Sequence, residues 1–300
     1  MADNKRYFLE SDVLGRLMAL PLQARQAMIG NVSGKHRSPI RGSSLEFAQY
    51  RKYVPGDDTR RLDWRTWGRS DRFYIKQFEA DTNLRLCLLL DTSGSMDFGP
   101  TGATRFDYAR KLAGALGYFA AEQGDAVGLW SLADKPVEIP ARRGPAHLGQ
   151  VLDRLGELKP AGGTTLLTAM HEAAEKIRQR ALVIIFSDFF VQPIELKSAF
   201  QHLRFRKHDV AAFHLLDQRE LDFDFDRPAR FLDMEGGDSL LADPSLIARN
   251  YREAVRRYVT ELDEVIRTTG VDYNRVRLHE NYEAALARFL LARIQNHPGR

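Results

Sequence analysis

Apolar residues along this chain fall into two kinds of run. Residues 84–90 and 181–186 are nearly continuous apolar stretches of strand length, as expected for strands buried on both faces of a sheet. Residues 126–132 and 210–216 read the same way. Between and after them the apolar spacing changes to three and four, which predicts helices over 104–123, 146–157, 165–180 and 193–206. A short strand at 137–139 is expected to complete a hairpin. Beyond a small β excursion over 226–243, around Glu235-Gly236-Gly237-Asp238, a long helix spans 244–268. Asp243 and Pro244 suit its first turn, and Gly270 stops it. A strand over 271–278 and a helix over 281–294 close the pattern. Strands alternating with helices require crossover connections. The expected fold class is therefore α/β, a mostly parallel sheet covered by helices on both faces.

The first eighty residues are patterned differently. Val13, Leu14, Leu17, Met18, Leu20, Leu22 and Met28 recur at helical spacing over 10–28, with Asp12 as a starting cap and Pro21 as a break. Residues 30–44 read as loop. Residues 45–80 mix aromatics and arginines around the turn Pro55-Gly56-Asp57-Asp58, and 73–78 reads as a strand. Two units are expected: residues 1–80, a helix with a charged, β-rich appendage, and residues 84–300, the sheet domain with its excursion at 226–243. The connection between them is too short for a flexible linker. The appendage should therefore pack on the sheet domain, with Trp64 or Trp67 buried.

Composition narrows the class. The 300 residues are 44% hydrophobic and 28% charged, values of an ordered globular chain. A single cysteine, Cys87, excludes an intramolecular disulfide and any Cys-rich metal site. No apolar run approaches the roughly 20 residues that span a bilayer, so a cytoplasmic protein with no membrane span is expected. The net charge of +4 is unevenly placed: residues 1–90 hold 16 Lys and Arg against 10 Asp and Glu, and the rest hold 28 against 30. Within 50–76, arginines alternate with Tyr50, Tyr53, Trp64 and Trp67, a mixture able to bind single-stranded nucleic acid. Asp57, Asp58, Asp63 and Asp71 lie among the same arginines. They repel phosphate and accept bidentate guanidinium bonds, which favours internal pairing or a protein partner over nucleic acid.

The most informative segment is Asp91-Thr92-Ser93-Gly94-Ser95-Met96, where a buried strand runs into one carboxylate and alternating hydroxyls. Alone, Asp-x-Ser-x-Ser is weak, because Ser and Asp are ordinary capping residues. Its order in the chain is more specific. Gly162-Gly163-Thr164 opens a later helix, and Ser187-Asp188 ends a later strand. Asp91, Ser93, Ser95, Thr164 and Asp188 together make a hydroxyl-rich set of hard oxygen donors. Such a set suits Mg or Mn and leaves a coordination position for water or an incoming acidic side chain. No phosphate-cradling Gly-x4-Gly-Lys loop and no Gly-x-Ser-x-Gly elbow is present. His171 reads as a surface or packing residue.

This constellation resembles the von Willebrand factor A domain and its metal-ion-dependent adhesion site, which implies a Rossmann-like fold over 84–300 and the five residues above as metal ligands. One departure stands out: the family's Thr-Asp-Gly is Ser187-Asp188-Phe189 here, and the large Phe189 is expected to crowd that edge. Upstream, Phe47, Arg51, Tyr53, Pro55-Gly56-Asp57-Asp58, Arg60, Asp63-Trp64 and Arg69 resemble the signature of the bacterial family called domain of unknown function 58. That resemblance implies a soluble or membrane-tethered protein, commonly encoded beside a MoxR-type AAA+ ATPase. The expectation is a divalent-metal-dependent protein-binding module, not an enzyme. Its partner would be that ATPase or a client, offering an acidic residue to the ion. The alternatives are a metal-dependent hydrolase using the same ion with Asp188 as base, and single-strand binding through 50–76.

Overall fold

The structure is a computed structural model and describes residues 6–23, 37–38, 46–52, 73–81, 84–100, 103–133, 136–163, 165–223, 229–232, 239–242 and 244–295. The N-terminal elements are helix α1 (Ser11–Leu17) and strands β1 (Arg37–Ser38), β2 (Glu46–Lys52) and β3 (Tyr74–Asp81). Then come β4 (Arg85–Asp91), a 3-10 turn (Gly94–Asp97), α2 (Arg105–Glu122), β5 (Ala126–Leu132) and β6 (Glu138–Arg142). Next are α3 (Pro145–Glu157), α4 (Leu166–Lys176), β7 (Leu182–Ser187), α5 (Pro193–Phe205) and β8 (Asp209–Leu216). The chain continues through α6 (Gln218–Asp222), β9 (Ala229–Leu232), β10 (Ser239–Ala242), α7 (Pro244–Thr269), β11 (Asp272–Arg277) and α8 (Tyr282–Gln295).

Six strands form one sheet in the order β11-β8-β7-β4-β5-β6. Every pairing is parallel except the edge hairpin of β5 with β6. The alternation of side chains explains why the central strands are apolar throughout. Leu86, Leu88 and Leu90 of β4 enter a core shared with α1, α2, α3 and α8, whereas Cys87 and Leu89 enter a second core shared with α4, α5 and α7. Helices thus cover both faces, as expected. Each of these buried leucines contributes ~1.5–3 kcal/mol by leaving water. Burial also pushes the Cys87 thiol up to about 12, so it stays protonated.

The strand order reverses direction beside β4. Strand β5 lies on one side of it, and β7, reached later in the chain, lies on the other. In such sheets a reversal of this kind marks the usual ligand position, here beyond the carboxyl ends of β4 and β7. The helix entering from β4 is firmly started: Thr104 and Asp107 exchange side-chain and backbone bonds at 3.2 Å in a capping box.

The N-terminal region departs from expectation. Helix α1 ends at Leu17, a few residues before the break expected at Pro21, and Asp12 lies inside its first turn with Glu10 at the cap position. Phe8, Val13, Leu14, Leu17 and Leu22 join the core of the main sheet. The β-rich part is an antiparallel sheet of order β1-β3-β2. The excursion contains a β9–β10 hairpin in register Ser239 to Leu232. The expected turn at 55–58, Trp64, Trp67, the arginine–aspartate block around them, Thr164 and Asp243 lie outside the described residues. Among the described residues no helix is long and apolar enough to cross a membrane.

Candidate functional site

Leu90 of β4 pairs with Phe186 of β7, so Asp91 and Ser187 emerge side by side at the sheet's carboxyl edge. Asp91 is buried. Its Oδ2 accepts the Ser187 hydroxyl at 2.6 Å and its Oδ1 accepts the Ser93 backbone N–H at 2.9 Å. Ser93 stands at the start of the 3-10 turn, yet its side chain makes no cap bond. Its Oγ lies 3.0 Å from Ser95 Oγ instead. Both hydroxyls are therefore released from the capping role that the weak reading of the motif gave them.

The loop before α4 is tied to this turn through backbone. Gly94 N–H donates to Gly162 O at 2.9 Å, and Ala161 N–H donates to Thr92 O at 2.8 Å. Gly162 has φ +83°, a conformation that favours glycine, and so keeps the loop against the turn. Asp91, Ser93 and Ser95 are thus brought together beside the 161–163 loop, while Thr164 itself is outside the described residues. The next residue, Thr165, is the N-cap of α4, and its buried Oγ1 has no hydrogen-bond partner among the described residues.

Asp188 lies on the adjoining loop, also buried. Its Oδ1 accepts Phe190 N–H at 3.3 Å and its Oδ2 accepts Arg105 Nη1–H at 3.0 Å. Phe189 does not crowd the edge. Its backbone takes φ +51°, and its ring turns down into the core near Phe200 and His214, wholly buried. A left-handed bulky residue costs on the order of 1–2 kcal/mol, and neighbouring bonds hold it there. Phe189 N–H donates to Ser187 Oγ at 2.8 Å. The Tyr258 hydroxyl, from α7, bonds the carbonyls of Phe189 and, at 3.0 Å, of Val191.

Sequence reasoning missed Arg105. It is the first residue of α2 and only 1% exposed. Its Nη1 donates to Asp188 and, at 2.9 Å, to the Ser95 carbonyl. The guanidinium also pairs with Glu220 of α6 and lies 5.1 Å from the Phe98 ring centre and 5.4 Å from that of Phe190. Helical periodicity gives no sign of this role, because an arginine beside Phe106 and Ala109 reads as a surface position at a helix start.

Burial first, and then the nearby Asp188 charge, push the Asp91 carboxyl up to about 6, against the pull of the bonds from Ser187 and Ser93. Burial lowers Arg105, against the attraction of Asp188 and Asp217. A buried carboxyl, Asp91, whose ionisation the nearby Asp188 charge opposes, beside the paired hydroxyls of Ser93 and Ser95, suits a hard cation. Among the described residues no group of three His, Cys, Asp or Glu gathers. A cation here would therefore complete its shell from hydroxyls and water, as Mg or Mn does and zinc does not.

A family model described as "Protein of unknown function DUF58" matches residues 49–263. An uncharacterized protein of Mycobacterium tuberculosis is 28% identical over 283 residues, 92% of this chain and 88% of that one. Among solved structures, BatB of Bacteroides thetaiotaomicron matches with 17% identity and a TM-score of 0.43, covering 71% of this chain and 100% of that one. The SpRpn10 VWA domain matches with 12% identity and a TM-score of 0.39, over 69% of this chain and 95% of the domain.

Proposed function

As a chain that belongs to the DUF58 family, this protein, we propose, is a non-catalytic, divalent-metal-dependent protein-binding module of the cytoplasm. One observation carries the reading: two buried carboxylates, Asp91 and Asp188, sit at adjoining strand ends beside serine hydroxyls that cap nothing. Asp91, Ser93, Ser95, Thr164 and Asp188 are the proposed ligands of Mg or Mn. The bound ion would supply an open coordination position for a carboxylate of the partner. The chain's own residues orient that position. Ser187 and the Ser93 amide fix Asp91, and the 161–163 loop holds the serine turn in place. The resemblance set out above makes a MoxR-type AAA+ ATPase, or its client, the proposed partner.

The hydrolase alternative needs Asp188 as a general base. Its two oxygens already accept bonds from Arg105 and the Phe190 amide, a poor state for taking a proton from water. Titration calorimetry with Mn2+ tests the proposal. Heat of binding is expected for the wild type and none for Asp91→Ala, with circular dichroism unchanged between them. Absence of Mn2+ and Mg2+ binding in the wild type would overturn it. Purification from its own cells with magnesium, but not with EDTA, should recover the ATPase.

A further inference from the structure

We propose that His171 and His202 form a site for a transition-metal ion of the kind imidazole prefers, such as nickel, copper or zinc, separate from the carboxyl edge and independent of what binds there. His171 lies on α4 and His202 on α5, and their Nδ1 atoms stand 2.9 Å apart. Two nitrogens bound at right angles to one such ion, each at about 2.0–2.1 Å, are themselves about 2.9 Å apart. The two rings are thus already spaced as neighbouring ligands of one ion. Both residues are partly exposed, so an ion can reach them from solvent. The sequence gave no sign of the pair, because 31 residues separate the two histidines.

The neighbouring residues prepare the His202 ring for this role. Glu175, one turn after His171 on α4, accepts a hydrogen bond from His202 Nε2 at 2.7 Å. A carboxylate only accepts, so it fixes the hydrogen on Nε2 and leaves the Nδ1 lone pair of the neutral ring bare. Metal-ligating histidines are oriented by carboxylates in the same way. The other oxygen of Glu175 lies 3.8 Å from Arg206 Nη2, which steadies it. The bare nitrogen of His202 accepts the Nδ1–H of His171. An ion would take the place of that hydrogen, which passes through water to Nε2 of the same ring, so both rings stay neutral. Burial and then His202 lower the His171 pKa, which keeps this ring free of a second proton at neutral pH. Among the described residues no third His, Cys, Asp or Glu joins the pair as a ligand, so water completes the shell.

The test is Ni2+ binding to the full chain, measured by calorimetry at pH 8 in excess Mg2+, which occupies oxygen-donor sites. The wild type and Asp91→Ala should bind Ni2+ alike. His171→Ala and His202→Ala should each bind it at least tenfold more weakly, with circular dichroism unchanged. Glu175→Ala, which removes no ligand, should weaken binding about tenfold. With Cu2+ as the probe, electron paramagnetic resonance of the wild type should show coupling to two imidazole nitrogens. Coupling to fewer overturns the site even if a histidine variant fails to fold. A wild type that binds no Ni2+, or histidine variants that bind as well as the wild type, would mean an adventitious ion only and overturn the site. Loss of Ni2+ binding in Asp91→Ala would place the ion at the carboxyl edge and overturn it equally. Full affinity in Glu175→Ala overturns the orienting role of that carboxylate.

Discussion

Two buried arginines mark opposite ends of the central sheet. At the carboxyl edge Arg105 bonds Asp188. At the amino edge Arg293 of α8, also fully buried, pairs with Asp209 and, at 2.9 Å, with Asp272, the first residues of β8 and β11. Neither was legible in the sequence, because an arginine in a helix reads as solvated unless its partners are known, and Asp188, Asp209 and Asp272 are 83, 84 and 21 residues distant from their arginines. Asp91, Ser93, Ser95 and Asp188 were legible because they stand in fixed order at strand ends, where a parallel sheet must bring them to one edge. Histidine offers a cleaner test at this scale. His208 is buried, its Nδ1 accepts the Ala181 N–H at 3.3 Å, and burial, then Arg206 and Arg180, lower its pKa to about 4. The folded chain therefore binds the proton less readily than the unfolded one. Its contribution is fully present above about pH 6.5 and lost as pH falls toward 4, a change on the order of 3 kcal/mol. Urea unfolding at stepped pH should show that slope in the wild type and a flatter one in His208→Asn. Equal slopes would contradict the assignment.

The core strands are the elements the sequence predicted best. Strand β5 has the predicted bounds, and β4, β7 and β8 each fall within a residue or so of theirs. Continuous apolar runs leave no other structure that buries both faces. The short α6 was missed because five residues with none buried carry no hydrophobic period. Helix α1 stops at Leu17, ahead of the break expected at Pro21, and beyond it Leu22 turns its amide to Gln123 Oε1 at 3.2 Å. What holds this region is a close approach to α2. A Cβ on Gly114 would come within 2.5 Å of the Phe8 ring. Alanine there gains about 1 kcal/mol of helix propensity, but the overlap should reverse the gain and loosen residues 6–22. Limited proteolysis should cut Gly114→Ala in this segment faster than the wild type, and adding Phe8→Leu should restore protection. Additive effects of the two changes would mean that the contact is not coupled.

For the molecule as a whole, the site lies where the sheet changes direction, so binding there should be felt by the entire fold. A ligand that binds only the native state stabilises it by mass action, about 2.7 kcal/mol at a hundredfold excess over its dissociation constant. Mn2+ should accordingly raise the thermal midpoint of the wild type and leave that of Asp91→Ala unmoved; equal shifts would indicate ions bound elsewhere. The long helix α7 adds a mechanical aspect. Its inner end is seated by Leu262 and Ile266, whereas nearer its start the Tyr258 hydroxyl grips two carbonyls of the Asp188 loop. In these terms the 26-residue helix is a lever and Tyr258 its pin. The same helix leads directly into β11, so the pin ties the Asp188 loop to the far edge strand of the central sheet.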